Sequence, residues 1–271
     1  VPPSSLPFYT PQMTDPTTLT AAGTRLEVRW AGPPPDEAPT LVLLHEGLGS
    51  AGLWRNFPEK LADATGLGVC AYSRAGYGGS DPHPLPWPIS YMEDHATQVL
   101  PHVLDAIGFR RGLLVGHSDG ASIAALYAGT VSDQRVRGGV LMAPHFFIED
   151  ICIDAIREAK LAYETGDPRA RLARHHGGNV DNAFYGWNAS WLNPDFYHWN
   201  ITDALHHIRV PLLVLQGLAD PYGTRAQADV VKQTCPAPVI SELMPNVGHA
   251  PWREAEADVL TAISAFATRL L

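Results

Sequence analysis

Short apolar runs recur along this chain, each closed by a glycine, a proline or a polar residue. "TLVLLH" (40–45), "GVCAYS" (68–73), "RGLLVGH" (111–117), "RGGVLMA" (137–143) and "VPLLVLQG" (210–217) are nearly continuous in apolar residues. A strand reads this way when both of its faces are covered. "TRLEVRW" (24–30) alternates instead, as a half-exposed strand does, and "PVISELM" reads as one more strand late in the chain. Helices are expected at 53–64, 90–107 and 119–131, and in the terminal "REAEADVLTAISAFATRLL". The stretch "ASIAALYAG" is rich in Ala and has no β-branched run, which favours helix. Strands alternating with helices predict an α/β chain, with a mostly parallel, doubly wound sheet.

The alternation breaks between Pro144 and His207. A helical pattern, "EDICIDAIREAKLAYETGD" (149–167), leads into the aromatic-dense "FYGWNASWLNPDFYHW" (184–199). An insertion between two strands is the simplest account. The expected organisation is an N-terminal arm (1–16), a core made of 17–143 and 208–271, and a helical insertion (144–207).

Composition narrows the possibilities. The chain has 271 residues, 45% of them hydrophobic, which is enough for a large core. Net charge is −9 and no basic run stands out, so neither nucleic acid nor an anionic membrane is an expected partner. No apolar stretch reaches the roughly 18 residues of a membrane span. The three cysteines, Cys70, Cys152 and Cys235, are odd in number and far apart, which disfavours a disulfide framework or a CxxC metal site. The opening "VPPSSLPFYTPQMTDP" lacks the charged and apolar regions of a signal peptide. These features lead us to expect a soluble, cytoplasmic protein.

The chemistry centres on Gly116-His117-Ser118-Asp119-Gly120, which fits G-x-S-x-G between a strand and a helix. A Ser on such a turn is held in a strained backbone conformation. Its flanking positions must be small, because a Cβ there would clash. The helix that follows aims free N–H groups and the positive end of its dipole at the same place. A hydroxyl nucleophile needs a base, and the base needs an orienting acid. His249 in "MPNVGHAPW" follows the last strand, and Asp220 in "LVLQGLADPYG" lies just past a buried one. The order Ser118, Asp220, His249 is the one expected for this arrangement.

With "LLHEGLGS", "YSRAGYGGSDP", "GHSDG", "QGLAD" and "GHAPW" in that order, the chain resembles the α/β-hydrolase fold superfamily from about residue 17 to 271. The resemblance implies a helical cap at 144–207, between strands six and seven. It also implies an oxyanion hole from the N–H groups of Gly47 and Asp119. One departure is His45-Glu46-Gly47, where most relatives have His-Gly. Two readings of Glu46 stay open: an ion pair with Arg74, or a group that touches substrate or positions water. Trp187, Trp191 and Trp199 are candidates for lining an apolar pocket.

His117 and His45 are expected to pack or hydrogen-bond locally. His175-His176 and His206-His207 resemble metal pairs, but adjacent residues do not share a helix face and no acid or Cys completes a set. No metal or cofactor is expected. The expected activity is that of a serine hydrolase acting on a small or medium apolar carboxylic ester or lactone through an acyl-enzyme. The alternatives are carbon–carbon bond hydrolysis or acyl transfer with the same triad, and a ligand-binding receptor on a hydrolase fold. The expected partner is a small-molecule substrate, and the oligomeric state is left open.

Overall fold

The computed structural model describes residues 16–271. The expected arm therefore lies outside the described residues, apart from Pro16. One eight-stranded sheet runs through the molecule in the order β1-β2-β4-β3-β5-β6-β7-β8. The strands are β1 (Thr17–Ala21), β2 (Thr24–Ala31), β3 (Thr40–Leu44), β4 (Gly68–Tyr72), β5 (Gly112–His117), β6 (Val136–Met142), β7 (Leu212–Gly217) and β8 (Val239–Met244). β1 and β2 are antiparallel to their neighbours, and every pairing from β4 to β8 is parallel. β1 joins β2 through Ala22-Gly23, both at positive φ, as a two-residue hairpin turn requires.

Helices cover both faces. On one side α1 (Phe57–Thr65) and the C-terminal helix (Glu256–Leu270) pack Phe57, Leu61, Val259, Ile263 and Phe266 against Leu41, Leu43, Val115 and Leu215. On the other side lie the helical run from Tyr91 to Ala106 and a helix at Asp119–Thr130, which we call α2. Every residue of β3, β4, β5 and β7 is buried. That is why these strands are apolar throughout and do not alternate.

Between β6 and β7 the chain forms helices α3 (Asp150–Thr165), α4 (Pro168–His176), α5 (Val180–Trp191) and α6 (Thr202–Leu205). Trp191, Phe184 and Phe196 are buried within this segment. Among the described residues no helix is long and apolar enough to cross a membrane. The carboxyl ends of β3, β5, β6, β7 and β8 all open toward one end of the sheet, where parallel α/β sheets place their sites.

Candidate active site

Ser118 sits between the last residue of β5 and the first of α2, at φ 52° and ψ −121°. This is a sparsely populated conformation for a residue with a side chain. Its neighbours explain how the turn is so tight. A Cβ on Gly116 would stand 2.2 Å from the carbonyl oxygen of Gly120, and one on Gly120 would stand 2.0 Å from that of Leu44. Only glycine lets β3, β5 and α2 converge there. Asp119 is the first residue of α2, so its N–H has no acceptor within the helix.

Asp220 and His249 come from the loops after β7 and β8. Nδ1 of His249 lies 2.8 Å from Oδ2 of Asp220 and 3.0 Å from Oδ1. The carboxylate also accepts from the Tyr222 N–H at 2.8 Å and from Nε2 of Gln216 at 3.1 Å. Burial pushes this carboxyl up, but the His249 and Tyr222 bonds outweigh it and hold it below the ordinary carboxylate range. Asp220 is therefore an anion at neutral pH, and it fixes the Nδ1–H tautomer of His249. That leaves Nε2 as the basic nitrogen.

His117 immediately precedes Ser118. Its Nε2 lies 2.6 Å from the main-chain oxygen of His249, so Nε2–H donates to the loop that carries His249. Its Nδ1 accepts from the indole N–H of the buried Trp252 at 3.3 Å, while Oε2 of Glu46 stands 3.4 Å away. Nδ1 can serve only one of these neighbours. As an acceptor it satisfies Trp252. As a donor it would serve Glu46 instead.

Arg74 organises the other side. Its guanidinium donates to the main-chain oxygens of His45 and Glu46, and it lies 3.8 Å from Oδ2 of Asp119. It does not pair with the Glu46 carboxylate, as one sequence reading expected. The backbone of the His45-Glu46 turn presents its carbonyls to Arg74 and turns the Glu46 side chain away. Tyr91 donates its hydroxyl proton to Asp119 at 2.6 Å, and Nε1 of Trp191 donates to the Tyr91 oxygen at 2.8 Å. Burial raises the Asp119 carboxyl above its usual range, against the pull of Arg74. His45 is held as a neutral ring: its Nδ1 donates to the Glu46 carbonyl at 2.7 Å and its Nε2 accepts from the Arg74 N–H at 3.1 Å.

These groups surround a cavity of about 180 Å³. Ser118, Asp119, His249, Glu46 and Gly47 line it, with Trp187 and Trp191 from α5 as walls. Gly47 touches the α5 wall directly, since a Cβ there would stand 2.2 Å from Nε1 of Trp187. A larger cleft of about 600 Å³ lies elsewhere, lined by Val136 and Pro211 at the amino ends of β6 and β7, away from Ser118.

The family model for the alpha/beta hydrolase fold matches residues 39–196. The chain belongs to the alpha/beta hydrolase fold family. Among the curated relatives of this hydrolase-fold chain, proline iminopeptidase of Lactobacillus helveticus is 24% identical, with 72% of this chain and 80% of that protein covered. Among solved structures, the esterase RhEst1 from Rhodococcus sp. ECU1013 superposes with a TM-score of 0.73 at 21% identity, covering 95% of this chain and 100% of that one. The enol-lactonase from Burkholderia xenovorans LB400 gives 0.72 at 20% identity, covering 93% and 100%. At these identities the structural likeness establishes the fold alone.

Within this alpha/beta hydrolase, most residues singled out from the sequence meet at one cavity. Trp199 does not. Its indole N–H donates to Oε1 of Glu93 at 2.9 Å, and its ring stacks on Phe196, so it closes the seam between the inserted helices and the core. His145, Cys152, Ile156 and Tyr222 line the cavity without having been singled out. His145 follows β6, at the same sheet end as Ser118, and that position was the available signal. Burial first, and His249 second, push its imidazole down to about 3, so it is neutral. His176, set aside as half of a metal pair, instead pins α4 to the core. Its Nδ1 accepts from the Gly78 N–H at 3.0 Å and its Nε2 donates to the Leu48 carbonyl at 3.1 Å.

Proposed function

We propose that this protein is a serine hydrolase that cleaves a small carboxylic ester or lactone through an acyl-enzyme. The observation that carries this reading is that Ser118, on its strained turn, and His249, paired with Asp220, line one cavity together with Gly47 and Asp119. Oγ of Ser118 attacks the carbonyl carbon while Nε2 of His249 takes its proton. The N–H groups of Gly47 and Asp119 stabilise the oxyanion that forms. The imidazolium returns the proton to the leaving oxygen as the C–O bond breaks. Water then attacks the acyl carbon, losing a proton to Nε2, and Ser118 leaves with that proton restored.

The inserted helices act as the cap of this site. Trp187 and Trp191 give the acyl group an apolar wall, and about 180 Å³ favours a short chain. The relatives include an amide hydrolase by name, and the same groups would serve an amide. The small apolar cavity is what favours an ester or lactone of modest size.

The test is a steady-state rate on p-nitrophenyl esters of increasing acyl length, with one aryl ester and one lactone, and Ser118→Ala as control. Turnover that peaks at short acyl chains and disappears in Ser118→Ala supports the reading. Turnover that survives in Ser118→Ala refutes it.

A further inference from the structure

Glu46 is an acidic side chain at the edge of a site that must stabilise a negative oxygen. Its neighbour in sequence, Gly47, supplies one of the two N–H groups assigned to that oxygen. A carboxylate so close opposes the developing charge unless a cation balances it.

The counter-charges that act on that carboxylate are imidazoles: His117, 3.4 Å from Oε2, and His249 hold it down to about 2 against its burial. Arg74, the buried guanidinium nearest in the fold, spends its donors on the carbonyls of His45 and Glu46 and faces Asp119. His117 is the one ion-pair candidate at the Glu46 carboxylate, at 3.4 Å. Its Nε2–H donates to the His249 carbonyl, and its Nδ1 is shared between the Trp252 N–H at 3.3 Å and the Glu46 carboxylate at 3.4 Å. Among the described residues no Lys or Arg side chain pairs with the Glu46 carboxylate. The side chain is a quarter exposed and lines the cavity. Asp220 is a second anion beside His249, and His145 is a neutral ring. Trp187, Trp191 and Tyr222 also line the cavity, and aromatic rings attract a cation.

We propose that Glu46 and these aromatic walls form an ammonium-binding subsite, so that the preferred substrate carries a protonated amine close to its scissile carbonyl. The inference rests on the serine hydrolase reading above and assigns that site its substrate class. A substrate ammonium here offsets the Glu46 charge and removes its penalty on the oxyanion. A neutral substrate leaves the penalty in place. The same subsite therefore contributes both affinity and selectivity.

The experiment compares methyl esters that differ by NH₃⁺ in place of CH₃: glycinate with propionate, 3-aminopropionate with butyrate, and 4-aminobutyrate with pentanoate. Released acid is titrated near pH 6.5, where the amines are largely protonated. The proposal expects kcat/KM at least tenfold higher for the amine at one or more chain lengths. It also expects that ratio to fall at least tenfold in Glu46→Gln. The ratio of ratios cancels intrinsic differences in ester reactivity. Neutral esters preferred at every length, or a ratio unchanged in Glu46→Gln, would overturn the proposal and leave His117 as the only partner of Glu46. Calorimetry with butylammonium and with 1-butanol on the wild-type protein reads the subsite without turnover and without relying on a variant. Binding of the ammonium at least tenfold tighter than the alcohol supports it, and equal binding overturns it. If no ester is hydrolysed and Ser118 resists acylating probes, the serine hydrolase reading fails, while the calorimetry still decides the subsite.

Discussion

The ring of His117 holds the main chain of His249: Nε2 of the first lies 2.6 Å from the carbonyl oxygen of the second. The residue before Ser118 thus positions the loop that carries His249, and Trp252 positions His117 in turn. His117→Phe removes the donor and leaves the Trp252 N–H without its acceptor. We expect kcat to fall about tenfold to a hundredfold, the scale of an ångström-sized displacement of a catalytic group, with KM little changed. Paired kcat and KM measurements check this. A variant with lowered melting temperature and wild-type kcat would reduce His117 to a packing role.

Substitutions in the triad separate the nucleophile from its support. Ser118→Ala should lower kcat by about 10⁴ or more, and Asp220→Asn by roughly 10³–10⁴, because the wrong tautomer of His249 then becomes available. Circular dichroism should show both variants folded. A Ser118→Ala rate within tenfold of wild type would sink the assignment.

Arg74 is buried, and its charge is balanced by Asp119 at 3.8 Å. Arg74→Met leaves the Asp119 carboxylate buried and unpaired and frees the carbonyls of His45 and Glu46. The expected loss of stability is about 3–5 kcal/mol, with reduced activity as the Gly47 N–H loses its fixed position. Adding Asp119→Asn should recover part of the stability, since no uncompensated charge then remains. Urea denaturation of the single and double variants measures the difference, and a double variant no more stable than Arg74→Met would contradict the pairing.

Buried neutral histidines make the fold acid-sensitive. Burial lowers His45, His95 and His145, the last to about 3. Between about pH 6.5 and pH 3 the unfolded chain binds a proton at His145 that the folded chain refuses. Stability must therefore fall on acidification across that window, by about 1.4 kcal/mol per pH unit for each such histidine. Asp220, whose folded value is depressed, adds to the loss only below the ordinary carboxylate range. Urea midpoints from pH 7 to pH 5 should decline, and His145→Gln should flatten the slope by about one proton. An unchanged slope would show that His145 is not the group responsible.

The sheet was legible where burial on both faces leaves no choice of residue, as in "TLVLL" and "LLVLQ". The edge strand β1 escaped notice because "TTLTA" is mostly exposed and carries no apolar signal. The residues of the cavity divide in the same way. Ser118 and its glycines are readable because a strained turn restricts residue type locally. Asp220 and His249 are readable because each follows a strand. The pairing of Arg74 with Asp119, in place of Glu46, depends on which way one turn points its side chains, and residue types do not encode that. Trp199 failed as a pocket residue for a related reason: an aromatic in the inserted helices can face the cavity or the seam, and both surfaces are apolar.

The central claim is that Ser118 becomes acylated. The direct measurement is intact mass and peptide mapping after brief exposure to a fluorophosphonate, with wild type and Ser118→Ala side by side. The account predicts one adduct per chain on the peptide that carries Ser118, formed far more slowly in Asp220→Asn and absent from Ser118→Ala. An adduct on another residue, or none in a protein that turns over esters, would contradict it.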